Sequence, residues 1–347
     1  EKIIDPIDKA VIKNELTVGK RIRSTNKANN EIYIFTAHDS PNLMREVGRL
    51  REIAFRHYGG GTGLEADIDK YDLMEHPYHQ LIVWDPEKEE ILGGYRFIMG
   101  KKVDFDEKGK PMLATAHLLN FSDDFLQNYL PYTVELGRSF VSLEYQSTLH
   151  SRKGIFALDN LWDGLGALTV IDPSMRYFFG KVTMYGTYNK EARNMILYFM
   201  HLHFPDPDKL VTPISQLVTN TDTGKMKHLF KGKNFKEDYK VLNREVRSFG
   251  LNIPPLINAY MGLSPTMRFF GTSINDEFGD VEESGILIEI NQILEEKKQR
   301  HIESYIKSNP SKRFLIGLRR AISGKSKNLI KKSKNKKLFS LMIITYE

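Results

Sequence analysis

Tyr132-Thr133-Val134-Glu135-Leu136-Gly137-Arg138-Ser139-Phe140-Val141 decides how this chain is read. Its β-branched and aromatic residues predict a strand. A carboxylate and a guanidinium stand in it three residues apart, with Gly137 between them. Strict alternation sends Glu135 and Arg138 to opposite faces of a sheet. A bulge at Gly137 adds one residue, reverses the parity of every later position in the strand and turns both charges toward one pocket. An edge strand with two solvated charges fits the same letters, so the neighbouring segments have to choose.

Upstream, residues 31–37 read as a strand, and Asp39-Ser40-Pro41 opens a helix over about 42–58. Leu43, Met44, Val47, Leu50, Ala54, Phe55 and Tyr58 share one arc of it, and Arg45, Glu46, Arg49, Glu52 and Arg56 lie opposite. Arg51 breaks the pattern. It stands inside the apolar arc, where it needs a carboxylate partner or an anionic ligand. The glycine-rich turn 59–63 leads to the acidic loop Asp67-Ile68-Asp69-Lys70-Tyr71-Asp72. That loop lacks calcium-site spacing, so a cationic ligand or the nearby arginines are its expected partners. Residues 80–84 and 91–98 form a hairpin that puts Arg96 on an apolar face beside Leu92, Gly94 and Ile98.

Downstream, a short helix at 122–130, capped by Ser122, leads into the quoted strand, and a polar loop containing Arg152-Lys153-Gly154 leaves it. Helices are expected at 157–170, 189–203, 235–248 and 254–262, and strands at 177–184, 266–271 and 285–291. The loop 273–280 joins the last two strands, and a charged helix comes next at 292–308. The order gives an α/β fold, a mixed central sheet flanked by helices. Its expected organisation is an arm at 1–30, one domain at 31–292 with a helical insertion at about 205–250, and a charged helix with a basic amphipathic tail at 293–347. His76, His79, His201 and His203 lack further ligands in sequence, and no metal is expected.

The 347 residues are 41% hydrophobic and 27% charged, as a globular core requires. With no cysteine, disulfides, thiolate metal sites and a cysteine nucleophile are excluded. No apolar run reaches membrane-spanning length, and Glu1-Lys2-Ile3-Ile4-Asp5-Pro6 lacks a signal-peptide pattern. The net charge of +6 is uneven: residues 311–347 hold 11 Lys/Arg and one acid, leaving 39 basic and 43 acidic residues in 1–310. Interleaved with Phe314, Leu315, Ile316 and Leu318, those cations suit an anionic membrane surface. A solubilising end fits the composition too. Nucleic acid is not expected, because a basic tail alone carries no readout.

Four pieces together resemble the Gcn5-related N-acyltransferase (GNAT) fold, with its bulged central strand. They are Leu50-Arg51-Glu52-Ile53-Ala54-Phe55, Asp69-Lys70-Tyr71-Asp72, Gly93-Gly94-Tyr95-Arg96 and Glu135-Leu136-Gly137-Arg138-Ser139-Phe140-Val141. More narrowly they are similar to the branch holding acyl-homoserine-lactone synthases and the ornithine- and glycine-lipid N-acyltransferases, some of them labelled hemolysins. Pro254-Pro255-Leu256-Ile257-Asn258-Ala259-Tyr260 and Ile274-Asn275-Asp276-Glu277-Phe278 resemble the closing pattern of the lipid enzymes, the glycine-lipid synthases most of all. The match covers about residues 31–291. One departure stands out: Arg152-Lys153-Gly154 does not fit the pyrophosphate-binding loop of coenzyme A-dependent members.

The resemblance implies N-acyl transfer of a 3-hydroxy or plain fatty acyl group to an amino acid, glycine favoured and ornithine next, making a lipoamino acid. It implies no cofactor. The missing loop suits acyl carrier protein as donor, docked on Arg152 and Lys153 and on the arm's Lys20, Arg21 and Arg23. Glu135 is then the candidate general base. Arg51, Arg96 and Arg138 are candidates for the acceptor's carboxylate, and Asp69 and Asp72 for its ammonium or for orienting the arginines. Backbone amides at Gly137, Ser139, Phe140 and Val141 are candidates for the oxyanion and donor. Phe55, Trp84 and Phe140 are expected along the acyl chain. The expected location is cytoplasmic, peripheral at the inner face of the membrane. A homoserine-lactone-type signal synthase and a non-enzymatic membrane-active hemolysin are the competing readings.

Overall fold

The computed structural model describes residues 1–146 and 157–308. Arg152, Lys153 and the tail 311–347 therefore lie outside the described residues. In chain order the strands are β1 (Arg21–Ser24), β2 (Glu31–Phe35), β3 (His79–Asp85), β4 (Glu90–Met99), β5 (Leu119–Phe121), β6 (Thr133–Val141), β7 (Tyr177–Met184), β8 (Val211–Pro213), β9 (Arg268–Asn275) and β10 (Val281–Glu289). Eight of them form one sheet in the order β1-β2-β3-β4-β6-β7-β10-β9, and β5 pairs with β8. Every neighbouring pair of the large sheet is antiparallel except β6–β7, which is parallel.

The helices are α1 (Lys9–Glu15), α2 (Pro41–His57), α3 (Lys70–Leu73), α4 (Ala157–Ile171), α5 (Lys190–His203), α6 (Thr223–Leu229), α7 (Phe235–Ser248) and α8 (Pro255–Met261), with a further helical stretch from Glu295. The apolar arc of α2 packs Leu43, Met44, Val47, Ala54 and Phe55 against Ile82, Trp84 and Phe140 on one face of the sheet. On the other face Leu161, Leu165 and Leu168 of α4 and Met195, Ile196 and Phe199 of α5 meet Leu81, Leu136, Phe178 and Ile288.

Local chemistry departs from the sequence reading at several places. Ser40 is the N-cap residue of α2 but its side chain makes no cap bond. The Glu15 carboxylate from α1 does so instead, accepting from the Asn42 and Leu43 amides at 3.2 and 2.7 Å. Glu52, read as solvent-facing, is buried, and it accepts from Arg56, Thr62 and Gly63 to tie down the glycine turn. The arm contributes β1 to the sheet edge. There Arg21 pairs with Glu31, Arg23 is buried against Ser24 and Asn26, and Lys20 reaches Ser40, so these cations are already engaged. The helix expected at 122–130 is a single π turn, Phe125–Tyr129, continued by a 3₁₀ turn. Among the described residues, no helix is long and apolar enough to cross a membrane.

Candidate active site

The parallel register between β6 and β7 runs from Thr133↔Tyr177 to Leu136↔Gly180 and ends there. Beyond it a cavity of about 650 Å³ opens, lined by Gly137 to Val141 on one side and by Lys181, Thr183 and Met184 on the other. That volume suits a small-molecule site, for which roughly 300–1,000 Å³ is usual. The gap lets the cavity take walls from both faces of the sheet. Leu136, Leu161, Phe178, Met184, Ile286 and Ile288, from the α4/α5 face, make an apolar half. Tyr78, Arg96, Thr115, Glu135, Lys181 and Glu283 make a polar end, beside Phe55, Phe140 and Phe278.

The bulge is present. Gly94 faces Phe140 and Arg96 faces Gly137, so two steps along β4 are matched by three along β6. The left-handed residue is Arg138, at φ 51°, rather than Gly137. That is an uncommon conformation for a non-glycine residue. Its side chain holds it there: Nε lies 2.9 Å from Asp67 Oδ2, and the guanidinium sits 4.0 Å from the Phe278 ring centroid. Glu135 and Arg138 consequently line one cavity. The glycines of β4 let the strands close around this irregularity. A Cβ on Gly93 would meet the Phe140 carbonyl oxygen at 2.5 Å, and one on Gly94 the Leu81 carbonyl oxygen at 2.5 Å. Gly94→Ala is expected to destabilise the protein by about 1–3 kcal/mol, the usual effect of overpacking. Urea unfolding would read this as a lowered midpoint.

Glu135 is 2% exposed. One carboxylate oxygen accepts from the Thr115 amide at 3.1 Å, and the other from the Tyr78 hydroxyl, which itself accepts from the Ala114 amide at 2.9 Å. Burial pushes the Glu135 carboxyl above its ordinary value. Those hydrogen bonds and the fields of Arg96 and Lys181 oppose the rise without cancelling it. The result is a carboxylate fixed in orientation and more basic than usual, facing the cavity.

The three arginines meet the acidic loop in one network. Arg51 donates to Asp67 at 3.0 Å, to Asp72 at 3.3 Å and to Gln80 at 3.3 Å. Arg96 grips Asp69 with both terminal nitrogens, at 2.7 and 2.8 Å, and reaches Asp72 at 3.0 Å. Asp69 and Asp72 also close the capping box of α3. Burial would raise Asp67, but Arg138 and Arg51 bring it below the ordinary carboxylate value, as Arg96 does for Asp69.

This geometry corrects part of the expected site. Arg51, Asp69 and Asp72 do not line the cavity. Their charges answer one another behind its wall: Arg51, at 1% exposure, is held by Asp67 and Asp72. Trp84 also lies away from the cavity, in the α2-side core. Phe55, Arg96, Glu135, Gly137, Arg138, Ser139, Phe140 and Val141 do line it. Arg96 Nε is buried there without a partner, 3.8 Å from where a Gly137 Cβ would stand.

Comparison with known proteins gives the family. Residues 50–152 match the acetyltransferase (GNAT) domain. A protein of Phocaeicola vulgatus named glycine N(alpha)-acyltransferase is 65% identical over 310 residues, 89% of this chain and 95% of its own length. One of the same name from Bacteroides thetaiotaomicron is 63% identical over 310 residues, 89% of this chain and 92% of its own length. The chain belongs to their family. It is an acyltransferase with a GNAT domain. No solved structure matches it.

The acyltransferase also has polar cavity residues that the sequence pattern passes over. Tyr78 and Thr115 hold Glu135. Lys181 pairs with Glu283 at 2.5 Å, and Glu283 accepts from Asn275 at 2.8 Å and Thr183 at 3.2 Å. Glu283 escapes because the last strand reads from 285, whereas β10 begins at Val281. A charge in the middle of Tyr177-Phe178-Phe179-Gly180-Lys181-Val182 is a signal of the same kind as Arg96, and Lys181 is legible on that ground. Of His76, His79, His201 and His203, two pair with carboxylates: His76 meets Asp104, and His203 meets Asp238, each at 2.9 Å.

Proposed function

We propose that this acyltransferase moves a fatty acyl group, plain or 3-hydroxylated, from acyl carrier protein to the amino group of glycine. The product is a lipoamino acid. The observation that carries the reading is Glu135: a buried, raised carboxylate where the polar end and the apolar half of one cavity meet. The names of the two relatives support glycine over ornithine or a homoserine-lactone precursor as acceptor. The missing pyrophosphate loop supports a carrier-protein donor. Docking through Arg152 and Lys153 and peripheral attachment to an anionic membrane through residues 311–347 belong to the same proposal.

Glu135 takes a proton from the acceptor's ammonium, and the freed amine attacks the thioester carbonyl carbon. The carbonyl oxygen gains negative charge, and donors at the bulge, with the unpartnered Arg96 Nε, stabilise it. The carbon–sulfur bond then breaks, the nitrogen gives its second proton to the departing thiolate, which becomes the carrier's thiol, and the amide remains while Glu135 releases the first proton to solvent. The acyl chain lies along Leu136, Phe178, Met184 and Ile286. Direct transfer needs no acyl-enzyme.

Incubation with 3-hydroxyacyl carrier protein and a panel of amino acids, read by mass spectrometry of the lipids, tests the reading. N-acylglycine should dominate. Transfer from acyl-coenzyme A alone would remove the donor, and another acceptor in first place would remove glycine.

The pH profile offers a separate check. Glu135 must be ionised to act, and burial raises its pKa. The acid limb of kcat/KM is therefore expected above the ordinary glutamate value of about 4.3, activity falling as pH drops through it. An acid limb at or below that value would remove Glu135 as the base.

A further inference from the structure

The acyl transfer to glycine needs a cation for the acceptor's carboxylate, and the arginines expected to supply it answer to aspartates. We propose that Lys181 binds that carboxylate, so that Lys181 and Glu135 together form a dipolar cradle for an α-amino acid zwitterion. The inference rests on the N-acyltransferase reading of the site and deepens it.

The placement comes from strand register. Glu135 faces Phe179 across the β6–β7 pair, on the same face of the sheet. Lys181 comes two residues later on β7, hence on that face and one pleat, about 6.6 Å, nearer the open end of the gap. Both side chains line the cavity, and each is buried or nearly so. A carboxylate and an ammonium at this spacing make a fixed dipole. A glycine zwitterion laid against it puts its own ammonium at the base and its carboxylate at the lysine. An acceptor without the carboxylate leaves the remaining Lys181 donors without an acceptor in a dry site, and an unmade buried hydrogen bond to a charged group is penalised.

Lys181 is free to do this despite its ion pair. An ammonium has three donors, and Glu283 takes one of them. Glu283 is in turn held by Asn275 and Thr183, so it fixes where Lys181 points. Arg96 has its terminal nitrogens on Asp69 and Asp72. Arg138 has its Nε on Asp67 and its guanidinium over Phe278. Lys181 thus keeps two donors on the face of the sheet it shares with Glu135.

The test compares glycine with glycinamide, which keeps the amine and loses the carboxylate, using the same carrier-bound donor. In the wild-type enzyme glycine should be favoured in kcat/KM by about 30-fold or more, the effect of one buried charge pair. Lys181→Met should collapse that preference to near unity, mainly through the KM for glycine, with the KM for the donor unchanged. Because that variant strands Glu283, the double variant Lys181→Met/Glu283→Gln is measured beside it and should lose the preference equally. A wild-type enzyme that accepts glycinamide as well as glycine overturns the proposal without any variant, as does a variant that keeps the wild-type preference. A wild-type enzyme that acylates neither acceptor overturns instead the acyl-transfer reading beneath it.

Discussion

Glu135→Gln is expected to lower acyl transfer by about 10²–10⁴-fold, the usual range for a positioned general base. The fold should survive. Glutamine keeps the shape, its oxygen can accept from the Thr115 amide as Glu135 now does at 3.1 Å, and its amide can donate to the Tyr78 hydroxyl. Stability should hold or rise slightly. Burial raises the folded pKa of Glu135, so the protonated form is the one the fold favours. Any stability linked to it is fully present at low pH and lost as pH rises through the raised value. At neutral pH the variant relieves a buried ionised carboxylate. The decisive pair of measurements is single-turnover acyl transfer and thermal unfolding, and wild-type turnover in the variant would end the assignment of the base.

Arg51→Ala is expected to do the reverse: lower stability by about 3–5 kcal/mol, the range for breaking a buried ion pair, while sparing the chemistry of molecules that fold. Arg51 is 1% exposed and is shared by Asp67 and Asp72, both at 0%. Removing it leaves Arg96 and Arg138 as the cations facing these carboxylates. A lowered urea midpoint with near-normal kcat per folded enzyme is the expected result. A lost kcat with unchanged stability would return Arg51 to the acceptor's carboxylate. The network should also fail in acid. Its arginines hold Asp67 and Asp69 below their ordinary value against burial, so its stabilisation is present above that value and is lost as pH falls below it.

Much of the site was legible because chemistry that defies its surroundings shows in a linear pattern. Arg51 inside an apolar arc and Arg96 on an apolar strand face both announced buried partners, and the acidic loop between them in sequence supplied those partners. The bulge was legible from the charges flanking Gly137. Its left-handed residue was not, since Arg138 tolerates φ 51° only with Asp67 and Phe278 to hold it. Which arginine faces substrate and which faces aspartate was equally hidden. Spacing along a strand or helix gives a face, but it does not say what lies opposite.

By itself the sequence determined seven of the eight strands of the large sheet, β1 excepted, the irregular central strand and a carboxylate set among apolar neighbours, because side-chain periodicity and buried charge are local properties. It also carried the likeness to the N-acyltransferases. Only the tertiary structure decided that β6 and β7 part after Leu136 and Gly180, that the gap is lined from both faces, and that Tyr78, Lys181 and Glu283 meet Glu135 there. Those residues come from segments far apart in the chain, and it is the register of a parallel pair, fixed by packing across the whole sheet, that brings them to one cavity.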